Sequence, residues 1–195
     1  LLVVLAPFYR LFPTPVTLLV AQAVLLAVSV IPITRVAMRE LGSGVGIVIG
    51  AAYGLSWGIQ GALAVEFHDD ALAVPLLAFA AEAFVRRRWS AVVWWTLPLF
   101  LVKEDLGLTV AAMGLALAVR GVRRWGAVLV ASGAVGFVLV MFVIIPAFNP
   151  DGSYAYWGNV DDGATDAGSI VTRILSLPVL LVNPPVKLET IFLLL

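Results

Sequence analysis

Residues 86–124 read RRRWSAVVWWTLPLFLVKEDLGLTVAAMGLALAVRGVRR, and the fold turns on where the charged triplet Lys103-Glu104-Asp105 sits. Two apolar arms, 89–102 and 106–119, hold 14 residues each. Arg86-Arg87-Arg88 bounds the first, and Arg120, Arg123 and Arg124 follow the second. As one helix, 89–119 would contain 31 residues, against about 20 needed to cross roughly 30 Å of hydrocarbon. It would bury three ionisable groups at mid-membrane and part the arginine clusters, against the preference of Lys and Arg for cytoplasmic loops. As a hairpin, each arm covers about 21 Å at 1.5 Å per residue. Both arginine clusters then return to one side, and the triplet lies at a tip recessed below the outer membrane surface. The hairpin is the better reading.

The rest of the chain agrees. Of 195 residues, 62% are apolar and 12% charged, and the mean hydropathy is +1.07. A soluble domain carries roughly 25% charged residues, so this composition excludes an ordinary soluble enzyme or a disordered tail. Twelve basic side chains balance twelve acidic ones, leaving no field to draw nucleic acid. The lipid bilayer is the partner that remains. There is no cysteine, hence no disulfide and no thiolate metal site.

Apolar segments at about 16–34, 45–65, 71–85, 89–102, 106–119 and 125–148 predict an all-α polytopic transmembrane bundle, one domain over 1–195, of about six spans. A seventh span opens at 186–195 after Asn183-Pro184-Pro185 and is truncated. Residues 149–168 form a polar outer loop, and 169–182, with Arg173 and Pro178, reads as a helix lying along the interface. Neither end has the polar flank of a membrane segment, so the sequence reads as a fragment of a longer protein; its opening is no signal peptide. Six alternating crossings put Arg35, Arg39, Arg86, Arg87, Arg88, Arg120, Arg123 and Arg124 together, as expected of cytoplasmic loops in a multi-pass cell-membrane protein. Glu66, Asp69, Asp70, Glu104, Asp105, Asp151, Asp161, Asp162 and Asp166 fall on the opposite side. Of the remaining acids, Glu82 precedes Arg86 by four residues, the spacing of a helix-surface ion pair.

Gly46, Gly50, Gly54 and Gly58, continued by Ala62, form a small-residue row on the second span, and Gly107, Ala111, Gly114 and Ala118 another. Such rows let helix backbones approach closely, and they carry no chemistry here. The ionisable groups do. Glu66, His68, Asp69 and Asp70 gather the only histidine and three carboxylates at the end of a span. Acids there also cap a following helix, so cap and site weigh equally on this segment alone. Lys103, Glu104 and Asp105 tip the balance, because ionisable groups at membrane depth cost roughly 2.5–3.5 kcal/mol each and persist only when paired or lining a polar cavity. An ion pair from Lys103 to the first acidic group is the structural alternative. Tyr154, Tyr156 and Trp157 in the outer loop either stack on a sugar or form an interfacial aromatic belt. No metal-ligand motif, phosphate loop or calcium loop occurs, and no cofactor is named by the sequence.

Phe67-His68 opening a span that carries Pro75, the arginine turn, and then Leu101-Val102-Lys103-Glu104-Asp105-Leu106-Gly107-Leu108 resemble a family of bacterial membrane proteins, domain of unknown function 2079. Pro7-Phe8-Tyr9-Arg10-Leu11-Phe12-Pro13 and Tyr154-Ala155-Tyr156-Trp157 extend the resemblance over nearly the whole chain. That family in turn is similar to the GT-C glycosyltransferases, multi-span enzymes that take sugar from polyprenyl-phosphate donors at the extracytoplasmic face. The resemblance implies a catalytic carboxylate, Glu104 or Asp105 and next Asp69 or Asp70, that deprotonates an acceptor hydroxyl. Lys103 would meet the departing phosphate, His68 would position substrate or share the proton, and Glu66, Tyr154, Tyr156 and Trp157 would bind substrate. The GT-C class places a further acidic residue in a first outer loop, upstream of Leu1. Two readings from other classes stand beside this one. A proton- or ion-coupled transporter requires a polar route to the cytoplasmic face, where the spans offer only scattered groups such as Gln22, Ser29, Ser56 and Gln60. A non-catalytic scaffold requires that the charges neutralise one another and leave no cavity.

Overall fold

The computed structural model describes residues 6–103 and 105–148, and these are helices joined by short turns. The chain forms two compact units, Leu1–Met141 and Phe142–Leu195. The expected outer loop, the interfacial helix and the truncated last span lie outside the described residues.

In the first unit a short α1 (Ala6–Leu11) precedes α2 (Pro15–Leu41). Pro15 opens α2 at the first turn, where its missing N–H costs nothing. The helix runs past the expected end at 34 because nothing stops it until Gly42, whose φ of +90° suits glycine. Pro32 lies inside α2 without ending it, as membrane helices allow. From Gly42 the chain doubles back into α3 (Ser43–Gly54). A Cβ on Gly46 would collide with Met38, one on Gly50 with Thr34, and one on Gly54 would reach Val30 Cγ2 at 3.3 Å. The descending order of partners shows an antiparallel pair in backbone contact, the role expected of the glycine row.

The second span differs from expectation. It breaks at Leu55-Ser56 into α3 and α4 (Trp57–Ala64). The Leu55 and Ser56 N–H groups close α3 on the Ala51 and Tyr53 carbonyls, and Gln60 Nε2 donates to the Gly54 carbonyl at 3.3 Å. The break carries the row out of register, and a Cβ on Gly58 would meet nothing within 4 Å. A 3₁₀ turn, Asp69–Leu72, then leads into α5 (Ala73–Val85).

Residues 89–119 form the hairpin. α6 (Trp89–Thr96) continues as a 3₁₀ turn, Leu97–Leu101, that contains Pro98, and α7 (Leu106–Val119) returns. At one end Phe84 meets Trp89 edge-on at 6.0 Å and lies under Arg120 at 5.2 Å. At the other, Phe100 abuts Gly136 while Gly107 lies against Phe137. Both arms therefore join the same two levels. α7 packs antiparallel on α8 (Arg123–Leu139): a Cβ on Gly114 would sit 2.6 Å from Val130 N and 2.8 Å from Gly126 O, and one on Gly133 would sit 2.5 Å from Ala111 N. The expected single span at 125–148 changes helix type, with a π segment over Val140–Ile144. In the second unit, α9 (Ile145–Phe148) is the described α-helix.

The core of the first unit joins α5, α6, α7 and α8 through Ala83, Val92, Leu99, Val110, Leu117 and Leu129. Outward, Val16, Val20, Val24 and Ile31 of α2 form an exposed apolar stripe, which water would not tolerate and lipid would. Pro15–Leu41, Ser43–Ala64 and Arg123–Ala147 are long and apolar enough to cross a membrane, whereas Trp89–Leu101 and Leu106–Val119 are shorter.

The glycine contacts give opposite expectations for one chemical change. Gly114→Ala forces two backbones apart and lowers stability by about 1–3 kcal/mol. Gly61→Ala meets nothing within 4 Å and is neutral or stabilising by up to about 1 kcal/mol. Thermal unfolding of the two variants in detergent checks the difference.

Candidate functional site

The site forms where the α4–α5 connection meets the hairpin tip. Gln22, 2% exposed on α2, holds the connection in place. Its Nε2 donates to the Ala62 carbonyl at 2.6 Å, and its Oε1 accepts the His68 backbone N–H at 2.8 Å. Both ends of the amide are thus satisfied, as burial requires. In the sequence Gln22 is a scattered polar residue; a lone amide whose partners lie 40 and 46 residues away leaves no local signal.

Held this way, His68 turns its Nδ1 to the Glu66 carbonyl at 2.7 Å, and Asp69 and Asp70 enter the first turn ahead of α5. Acids at that position favour the helix dipole, but neither they nor His68 forms a side-chain cap. Instead Asp70 reaches across to the hairpin tip, where Lys103 Nζ donates to Oδ1 at 3.2 Å and to Oδ2 at 3.1 Å. Lys103 is 32% exposed and Asp70 53%, so the pair is open to solutes. The hydrogen bond to Asp70 raises the Lys103 pKa above its ordinary 10.5, helped by the charges of Asp70, Asp105 and Asp69 and opposed by desolvation.

Of the expected site residues, the structure brings Asp70 and Lys103 into contact, with Asp69 and Asp105 close enough for their charges to act on Lys103. Asp105 stands at the N-cap of α7 and makes no side-chain cap. The Glu66 side chain is exposed and engages in no ion pair or side-chain hydrogen bond among the described residues. Glu104, Tyr154, Tyr156 and Trp157 lie outside the described residues.

Two cavities adjoin the pair. One, of 320 Å³, is lined by Gln22, Leu26, Ala62, His68, Asp70 and Val74 among others. The second, of 360 Å³, is wholly apolar and runs between α2, α5 and the first hairpin arm, with Leu25, Val28, Phe79 and Trp95 in its walls. Phe79 and Trp95 stack there at 4.5 Å. Leu72 and Val102 also line this groove, so it begins beside the Asp70–Lys103 pair. Among the described residues, no three His, Asp or Glu side chains are grouped to hold a metal ion.

Helices of membrane-spanning length, a lipid-tolerant exterior and charge confined to the ends define an integral membrane protein. The chain belongs to the family described as "Predicted membrane protein (DUF2079)", whose profile matches residues 1–195. No curated protein and no solved structure matches the chain.

A raised lysine pKa means that the ion pair's stabilisation is complete below the unfolded lysine's value and is lost as pH rises through the folded one. The gap in thermal midpoint between wild type and Lys103→Met should therefore hold level through neutral and mildly alkaline pH, then close above about pH 10. Closure near neutrality would contradict the pairing.

Proposed function

We propose that this protein is the membrane-embedded part of a GT-C-like glycosyltransferase that takes sugar from a polyprenyl-phosphate donor at the extracytoplasmic face. The observation that carries this reading is the adjacency of an apolar groove and an exposed lysine–carboxylate pair. An isoprenoid chain suits the groove walls formed by Leu25, Val28, Pro75, Leu76, Phe79 and Trp95, and its phosphate then falls beside Lys103. Lysine is a point charge suited to phosphate oxygens, and a raised pKa keeps it protonated.

The chemistry follows. A donor phosphate competes with Asp70 for Lys103, which frees the carboxylate. The acceptor hydroxyl attacks the anomeric carbon, and the bond from that carbon to the phosphate oxygen breaks. The hydroxyl proton passes to a carboxylate of the Asp69, Asp70, Glu104 and Asp105 group, and the charge left on the phosphate is met by Lys103. His68, which shares the second cavity with Asp70, positions the acceptor. Tyr154, Tyr156 and Trp157 supply stacking surfaces for the sugar.

Two further observations favour this reading. Of the deeper buried hydroxyls, Thr96 donates to the Val92 carbonyl at 2.6 Å within its own helix, and Ser29 meets the Leu26 carbonyl at 2.6 Å and the Tyr53 hydroxyl of α3 at 3.1 Å, a single link too short to form a proton route. A scaffold with mutually neutralised charges has no need of open cavities beside its one tip pair.

The test is sugar transfer by the whole purified protein from a panel of polyprenyl-phosphate sugars. Lys103→Ala, and at least one of Asp70→Asn, Glu104→Gln and Asp105→Asn, should lower turnover about 10²–10⁴-fold, the range for lost charge stabilisation or general base. Wild-type turnover in all four would remove these roles.

A further inference from the structure

The opposite end of the first unit holds a second charged constellation, which sugar transfer does not use. Glu82 on α5 is 7% exposed, yet both its oxygens are bound. Oε2 accepts from Arg35 Nη2 at 2.5 Å and Oε1 from Arg86 Nη1 at 2.9 Å. One buried carboxylate thus faces two guanidiniums, each with five N–H donors. Arg35 also lies over the Phe79 ring at 5.4 Å. Arg86 Nε is buried with no acceptor among the described residues, a costly state unless a ligand supplies one.

Arg35, Arg86 and Glu82 line a cavity of 420 Å³ together with Arg39, Glu40, Val36 and Val85. Arg39 is 61% exposed, and its contact with Glu40 is long, at 3.9 Å. The cavity therefore sets three guanidiniums against two carboxylates, one of which is already shared. Beside them stand aliphatic walls, Val36 and the half-exposed Val85. Guanidinium forks match the oxygens of a phosphate, and an apolar wall alongside suits the glycerol and acyl carbons of a lipid.

We propose that this cavity binds a phosphate anion carried by the headgroup of an anionic phospholipid. Arg39 and Arg86 grip the phosphodiester, Glu82 fixes the Arg35 and Arg86 forks, and the first acyl carbons run past Val36 and Val85. A zwitterionic headgroup is disfavoured because its ammonium would enter the same cationic cavity. The inference is independent of the sugar-transfer reading, since it concerns residues at the other end of α5.

The whole protein in neutral detergent provides the test, with thermal midpoint followed as phosphatidylglycerol, phosphatidylcholine or inorganic phosphate is added. Phosphatidylglycerol should raise the midpoint saturably and phosphatidylcholine should not. Arg39→Gln, at an exposed position that leaves the fold intact, should weaken the apparent affinity about fivefold, as expected for one cation at a lipid surface. Arg123→Gln, at the same end but outside the cavity, should leave it unchanged. If inorganic phosphate reproduces the shift with the same dependence on Arg39, the phosphate chemistry stands and the source is a free anion. Absence of a shift with any addition, or an equal loss in Arg123→Gln, would overturn the site.

Discussion

A charge held among apolar helices must be paired or wetted, and in the first unit that requirement is met by sorting charge to the two ends of α5. At its start, Asp70 meets Lys103 from the hairpin tip. At its end, Glu82 meets Arg35 and Arg86. The 13 residues of α5 span about 20 Å at 1.5 Å per residue, less than a hydrocarbon core. One short helix thus sets the separation of two polar constellations, with an apolar core packed against it between them.

That separation depends on how closely the other helices pack. α2 with α3, and α7 with α8, meet through rows where glycine removes the side chain from the contact. Without a hydrophobic drive between helices in lipid, such close van der Waals contact is the main source of cohesion. Each pair is a near-continuous hairpin, turning at Gly42 or over Gly121, both at positive φ. Two local hairpins thus bring remote tips together.

Much of this was legible in the residues themselves. The length of 89–119 and its flanking arginines required a turn at Lys103, and the four-residue spacing of Gly46, Gly50 and Gly54 announced a packing face. The Glu82–Arg86 pair followed from its spacing, but its burial and its partner Arg35 did not, because that contact joins helices 47 residues apart. The break at Leu55-Ser56 was hidden by unbroken hydrophobicity, since apolar composition reports membrane depth and not helix continuity. In the site, an ion pair from Lys103 to the acidic group was legible only as the structural alternative to a catalytic group, and its choice of Asp70 goes with Gln22 anchoring the His68 backbone. The apolar groove had no signature, because its walls come from three separate elements.

The measurement closest to the central claim is the proximity of the two tips in the membrane. The chain has no cysteine, so paired substitutions report on their own positions alone. With Asp70→Cys and Lys103→Cys combined, a short bifunctional thiol reagent should join the two sites efficiently, while Asp70→Cys combined with Arg86→Cys should remain unlinked. Efficient linkage in the second pair and none in the first would contradict the account.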